Sequence, residues 1–356
     1  MTPDPAPAPP ARKPARTSPA ARAAYLVLGM HRSGTSAATQ LLALAGAHLP
    51  DNVMPGDEHN AKGYFEPWRI AIFNDQRLRA GGGAWDDAFA YPYAEAPDEG
   101  EWQSQARALF REEFGRARFP LLKDPRVSLL MPLWRPTLQA EGLDIRCVIP
   151  IRPPLAVAGS LARRDQFPRV KSVLLWTAYM LAAEAGSRDL PRAFVDYDAL
   201  LADWRHEAAR IEAAHGAPLP RLTDRAAARI DAFLSPELRH NSGDGDLAAL
   251  GAVGEAAQGV HDWFTAAARG PAPDRKPLEA AQTLIAGMKA QMGVFVSPVT
   301  RALDIAKSDL ADAQRGWRIQ AAENLQIRAT LEAEIRRLLA ERQAVEAAVE
   351  DLLART

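Results

Sequence analysis

The chain has 356 residues, 47% hydrophobic and 24% charged, which allows one large domain or a domain with an appendage around a substantial core. A formal net charge of −1 gives no global attraction to nucleic acid or acidic membranes, so any anion site must come from local arrangement of charge. One cysteine, Cys147, excludes an intrachain disulfide framework and fits a reducing, cytoplasmic setting, with peripheral membrane attachment left open.

Residues 1–22 are rich in Pro and Ala, carry scattered Arg and Lys, and lack the apolar centre of a secretory signal. Their composition predicts a disordered extension. No window holds the roughly 18 apolar residues of a membrane helix. Residues 25–29 read as a buried strand and 34–45 as the helix behind it. Residues 48–118 are irregular, with helical pieces around 67–79 and 101–117. Short strands are expected within 119–125, at 145–151 and at 192–198. Helices are expected at 153–164, where proline opens the first turn, at 169–187, and from about 198 to 214. Short apolar strands alternating with helices predict an α/β fold, a parallel sheet with helices on both faces.

The expected organisation is a disordered 1–22, an α/β domain over 23–241, a linker or lid with helical pieces over 242–300, and a long helix over 301–356. In that last stretch Leu303, Leu310, Trp317, Asn324, Leu331, Leu338, Val345 and Leu352 fall seven apart. The companion positions Lys307, Gln314, Ala321, Arg328, Ile335, Arg342 and Val349 are poorer, so the seam is clear only from about 331. A coiled coil is expected there, with Asn324 able to fix its register. Its partner is a second copy of the chain or another protein.

The stretch "YLVLGMHRSGTSAATQLLAL" (25–44) has the strand, G-x-x-x-x-G, helix frame of a P-loop-type phosphate-binding loop, but Thr35 stands where the nucleotide-hydrolysing version has Lys. Successive backbone N–H groups and the helix start favour an anion. Gly29 and Gly34 let the backbone turn and approach a ligand closely. Ser33, Thr35 and Ser36 bring hydroxyls, Arg32 a fixed charge, and His31 a ring facing the anion or the fold. Without lysine after Gly34, ATP or GTP turnover is disfavoured.

"GMHRSGTS" resembles the 5′-phosphosulfate loop of the sulfotransferases that use 3′-phosphoadenylyl sulfate (PAPS). Downstream, "RPPLAVAGSL" places Arg152 and Ser160 eight residues apart, as in the segment that holds the 3′-phosphate in that family. "LLKDPRVSLLMPLW" resembles the Lys-Asp-Pro segment of tyrosylprotein sulfotransferases and bacterial relatives. The likeness to bacterial sulfotransferase-like proteins runs over about 24–241. It lacks the late Arg-Lys-Gly contact of the cytosolic members, and their catalytic His has no alignable segment.

The resemblance implies PAPS as co-substrate, held by Gly29, His31, Arg32, Ser33, Gly34, Thr35, Ser36, Arg152 and Ser160, with no metal required. It implies that Lys123 and Arg32 offset charge on the departing phosphate side, and that Glu66, in "GYFE", is the base. Asp57 and His59 are alternative bases, and His240 a residue that closes over the site or caps a helix. The aromatics Tyr64, Phe65, Trp68 and Trp85 are expected around Glu66, lining an acceptor site or a small core. The acceptor class is a hydroxyl, with a carbohydrate or glycolipid preferred; nucleic acid is not expected. Two other readings stay open: a P-loop kinase-like enzyme using ATP, and a non-catalytic nucleotide-fold protein serving as a coiled-coil scaffold.

Overall fold

The computed structural model describes residues 22–56, 63–234 and 245–354. Residues 1–21, with Asp57, His59 and His240, lie outside the described residues. The chain divides into two compact units, Met1–Thr300 and Arg301–Thr356.

The first unit opens with β1 (Ala23–Val27), five consecutive buried residues, followed by α1 (Thr35–Leu44). The irregular stretch contains α2 (Trp68–Ala80) and α3 (Glu99–Phe114). Then come β2 (Leu121–Lys123), the single turn α4 (Arg126–Leu129), α5 (Met131–Ala140) and β3 (Asp144–Ile151). The order continues with α6 (Pro154–Asp165), α7 (Arg169–Ser187), β4 (Arg192–Asp196), α8 (Tyr197–Ala202) and α9 (Trp204–His215). It ends with α10 (Asp224–Phe233), α11 (Ala252–Arg269) and α12 (Lys276–Ala354).

The four strands form one parallel sheet in the order β2-β1-β3-β4. Side chains alternate across it, as strand geometry requires. Ala24, Leu26, Ile149 and Phe194 face a layer that includes α5, α7 and α11; Tyr25, Val27, Val148 and Val195 face α1, α8 and α9. Both faces are covered, which is why the strands read as continuous apolar runs. The register pairs Val27 with Lys123 and with Val148, and Ile151 with Asp196. The carboxyl ends of all four strands therefore open on the same side. From β1 the chain goes to β2 on one flank and β3 on the other, so the loop after β1 lies where the strand order reverses, the usual ligand crevice of such sheets.

Three expectations change in detail. The helix expected over 198–214 is two helices, because Asp203 leaves helical geometry and its carboxylate accepts the N–H of His206, capping a new start. The stretch 242–300 contributes core: Val253, Ala257, Val260 and Phe264 of α11 are buried, and Phe194 meets Trp263 and Phe264 at 5.7 and 5.4 Å. The last helix starts at Lys276 rather than near 301, and its first turns bury Leu278, Ala281 and Ile285. Among the described residues, no helix is long and apolar enough to cross a membrane.

Candidate functional site

The loop between β1 and α1 is tied down before it turns. Leu28 N donates to Val148 O at 3.0 Å, and Gly29 N to Ser128 Oγ of α4 at 2.8 Å. Gly29 has φ +120°, and Arg32, with φ 68°, is left-handed without being glycine, a strained choice that frequently marks function. Gly34 has φ +92°, and a Cβ there would lie 2.4 Å from Cδ2 of Tyr197, so neither backbone nor space admits a side chain. Helix α1 then begins with no side-chain cap and no acidic residue in its first turn, leaving its positive end uncompensated. Two polar atoms in the loop, His31 Nε2 and Ser33 Oγ, are buried without a hydrogen-bond partner.

The next arm arrives from β3 and α6. Arg32 Nε donates to Ser160 Oγ at 2.8 Å, and Arg152 Nη1 donates to the Arg32 carbonyl at 3.0 Å. The Arg152 guanidinium lies 5.1 Å from the centre of the Tyr197 ring. Arg32, Arg152, Ser160 and Tyr197, widely separated in sequence, thus meet at the carboxyl edge of the sheet. Tyr197 went unnoticed in the sequence, although "VDYD" at the end of an expected strand is a position where site residues collect.

Beside the loop lies a buried ion network. Lys123 Nζ donates to Glu66 Oε1 at 2.7 Å and to the Tyr64 carbonyl at 2.8 Å. Arg126 reaches Glu66 Oε2 at 3.5 Å, bonds Asp124 Oδ1 at 2.9 Å and also pairs with Asp75. Asn74 Nδ2 donates to Asp124 Oδ2 at 2.8 Å and accepts from Trp134 Nε1 at 2.8 Å. Lys123 therefore pairs with Glu66 rather than with its neighbour Asp124. Burial pushes the Lys123 ammonium down, and Glu66 only partly restores it. Burial also opposes the Arg126 charge, but Asp124, Asp75 and Glu66 outweigh it and hold the guanidinium well above its usual range. In the sequence Asp124 and Arg126 read as residues that organise this loop, and they bond each other here; Asn74 was not singled out, since nothing in the sequence distinguishes it from a surface polar residue. Ser36 Oγ donates to the same Tyr64 carbonyl at 3.4 Å, which links α1 to this network. Thr35 is buried at the start of α1.

His31, expected to face the anion or the fold, is buried. Its ring packs edge-on against Trp85 at 4.9 Å and Tyr179 at 6.0 Å. Burial, then the charges of Arg126, Arg164, Lys123 and Arg32, push it well below the usual histidine range. Of the aromatics expected around Glu66, Trp85 packs against His31, Phe65 packs 6.2 Å from Phe233, and Trp68 is 39% exposed. Among the described residues, no three His, Cys, Asp or Glu side chains gather as a metal site.

No protein-family model matches the chain, and no curated protein matches it either. The solved structures that match the chain include two sulfotransferase domains. One is a sulfotransferase domain from the Synechococcus PCC 7002 olefin synthase, 17% identical, with a TM-score of 0.39 over 77% of this chain and 97% of that one. The other is a sulfotransferase domain from the curacin biosynthetic pathway, 14% identical, with a TM-score of 0.36 over 74% of this chain and 98% of that one.

Proposed function

We propose that the protein is a sulfotransferase that moves a sulfuryl group from 3′-phosphoadenylyl sulfate to an acceptor hydroxyl. The observation that carries this reading is the meeting of Arg32 with Arg152 and Ser160, the cation of one anion-binding loop and the cation–hydroxyl pair of a second. The cradle at Gly34, closed from below by Tyr197, and the unpartnered Ser33 Oγ and His31 Nε2 fit a ligand rich in oxygens. Bound there, 3′-phosphoadenylyl sulfate would supply the sulfuryl group.

The chain's residues then divide the work. Arg152 and Ser160 hold the 3′-phosphate through charge-assisted hydrogen bonds. Gly29, Gly34 and the start of α1, with Ser33, Thr35, Ser36 and Arg32, hold the phosphosulfate end. Glu66 accepts the proton of the acceptor hydroxyl as that oxygen bonds sulfur, and Lys123 offsets the charge left on the departing phosphate oxygen. For Glu66 to act, Lys123 must turn from it toward the donor, so donor binding precedes proton transfer. We assign the acceptor to the carbohydrate or glycolipid class. The same reading gives the C-terminal helix to assembly, as a coiled coil with a second copy or a partner.

Ligand-induced melting shifts test the site. The protein is expected to melt higher with 3′,5′-adenosine bisphosphate in the absence of metal, by about 2.7 kcal/mol of added stability at 100 times Kd, and ATP with magnesium to do less. Arg152→Ala should weaken bisphosphate binding about tenfold to a hundredfold. Glu66→Gln should keep binding and abolish sulfate transfer. Stabilisation by magnesium ATP but not by the bisphosphate would overturn the reading in favour of a kinase-like enzyme.

A further inference from the structure

The turn that follows β2 reaches across to the loop after β1. Ser128, buried in α4, accepts the Gly29 N–H at 2.8 Å, and its hydroxyl donates to the Gly29 carbonyl at 3.4 Å. Gly29 is where the chain leaves the sheet: Leu28 N still bonds Val148 O, and further along Ser33 N bonds Met30 O at 3.2 Å. A Cβ on Gly29 would meet Pro150 O at 3.6 Å and Met180 Sδ at 3.7 Å, ordinary contacts, so crowding does not fix this residue as Tyr197 fixes Gly34. Glycine visits both signs of φ with similar ease, so the +120° found here must be selected by bonds from outside. The two-way clasp of Ser128 supplies them.

Ser128 is itself held. Its N–H donates to Pro125 O at 2.9 Å, and Val127 N donates to Asp124 O at 2.9 Å. The Asp124 carboxylate takes Arg126 N at 3.1 Å and Asn74 Nδ2 at 2.8 Å. The clasp therefore stands on the turn whose other end carries Lys123.

On the assignment of this loop to the phosphosulfate end of the donor, we propose that Ser128 is a positioning residue for donor binding. By fixing Gly29 it sets the angle at which residues 30–34 leave the sheet, and so where Arg32, Ser33 and the loop N–H groups meet the anion. Ser128 acts through Gly29 and touches no donor atom. Arg152 directly follows β3 and Ser160 lies on α6, so the 3′-phosphate arm is anchored elsewhere and feels the clasp far less.

Two probes separate the arms. The 3′,5′-adenosine bisphosphate spans both, whereas adenosine 3′-phosphate lacks the group that the loop holds. Titration calorimetry of full-length Ser128→Ala should show bisphosphate affinity lowered about tenfold and adenosine 3′-phosphate affinity within about twofold of wild type. Ile211→Val, a buried change in α9, also lowers stability but should keep both affinities. Hydrogen exchange should quicken over 28–36 in Ser128→Ala and stay unchanged in β4. Unaltered bisphosphate affinity in Ser128→Ala, or an equal loss for both ligands, would overturn the positioning role and leave the donor reading standing. A wild-type chain that binds neither ligand would overturn the donor reading, and the role of Ser128 with it.

Discussion

Two neighbouring regions at the carboxyl edge of the sheet treat buried polar atoms in opposite ways. In the loop from Gly29 to Ser36, His31 Nε2 and Ser33 Oγ have no partner. In the network beside it, both oxygens of Glu66 face cations, Asp124 accepts from Asn74 and Arg126, and Lys123 has two acceptors. A buried polar group without a partner costs free energy that a folded chain tolerates mainly where something else will supply the bond. The loop is thus incomplete by construction, while the network is complete and holds its charges against each other. Ligand binding should therefore finish the first and partly open the second.

Removing one member of the complete region should produce the largest loss. Lys123→Ala leaves Glu66 buried beside Arg126 at 3.5 Å, and breaking a buried pair from one side costs about 3–5 kcal/mol. Chemical denaturation should show that loss in Lys123→Ala and a smaller one in Lys123→Ala with Glu66→Gln, which removes the stranded charge. Equal losses in the single and double variants would mean that the two residues are not coupled.

The incomplete region should respond in ligand binding more than in folding. Gly34→Ala forces a side chain into left-handed geometry, about 1–2 kcal/mol, and against the Tyr197 ring, about 1–3 kcal/mol. The variant should fold with reduced stability and lose the melting shift given by 3′,5′-adenosine bisphosphate. Full ligand response in Gly34→Ala would show that the anion sits elsewhere.

The same contrast explains what could be read from the sequence. The loop was legible because its requirements are local: two glycines, a cation and three hydroxyls between a strand and a helix. The strands at 145–151 and 192–198 were legible because a sheet buried on both faces leaves continuous apolar runs. The network was only half legible. Lys123, Glu66 and Arg126 were named, but Arg126 takes its partners Asp75 and Glu66 from 51 and 60 positions away, and no local pattern encodes that distance. Helical pieces were expected in 242–300, but the share of α11 in the core was hidden by its Gly- and Ala-rich sequence, although Val253, Ala257, Val260 and Phe264 keep a helical spacing. The break at Asp203 was missed because a cap inside a helical pattern resembles an exposed acidic residue.

The smallest effect sharpens the comparison most, because it reads the loop without a ligand. Burial and four cations depress His31 in the folded chain, whereas in the unfolded chain it titrates near 6.5. The unfolded state then binds the extra proton below that pH. The stability associated with the neutral ring is fully present above about 6.5 and is lost as pH falls toward the folded value. His215 and His261, also lowered chiefly by burial, act in the same direction, so the wild-type slope is a sum of at least these three. His31→Gln should flatten the fall in stability between pH 6.5 and 5.5 by up to about 1.4 kcal/mol per pH unit, measured by denaturation across that range. An unchanged slope would mean that the ring reaches solvent or an acid in solution. The loop's unpartnered nitrogen would then be available to water, and the contrast with the closed network would be lost.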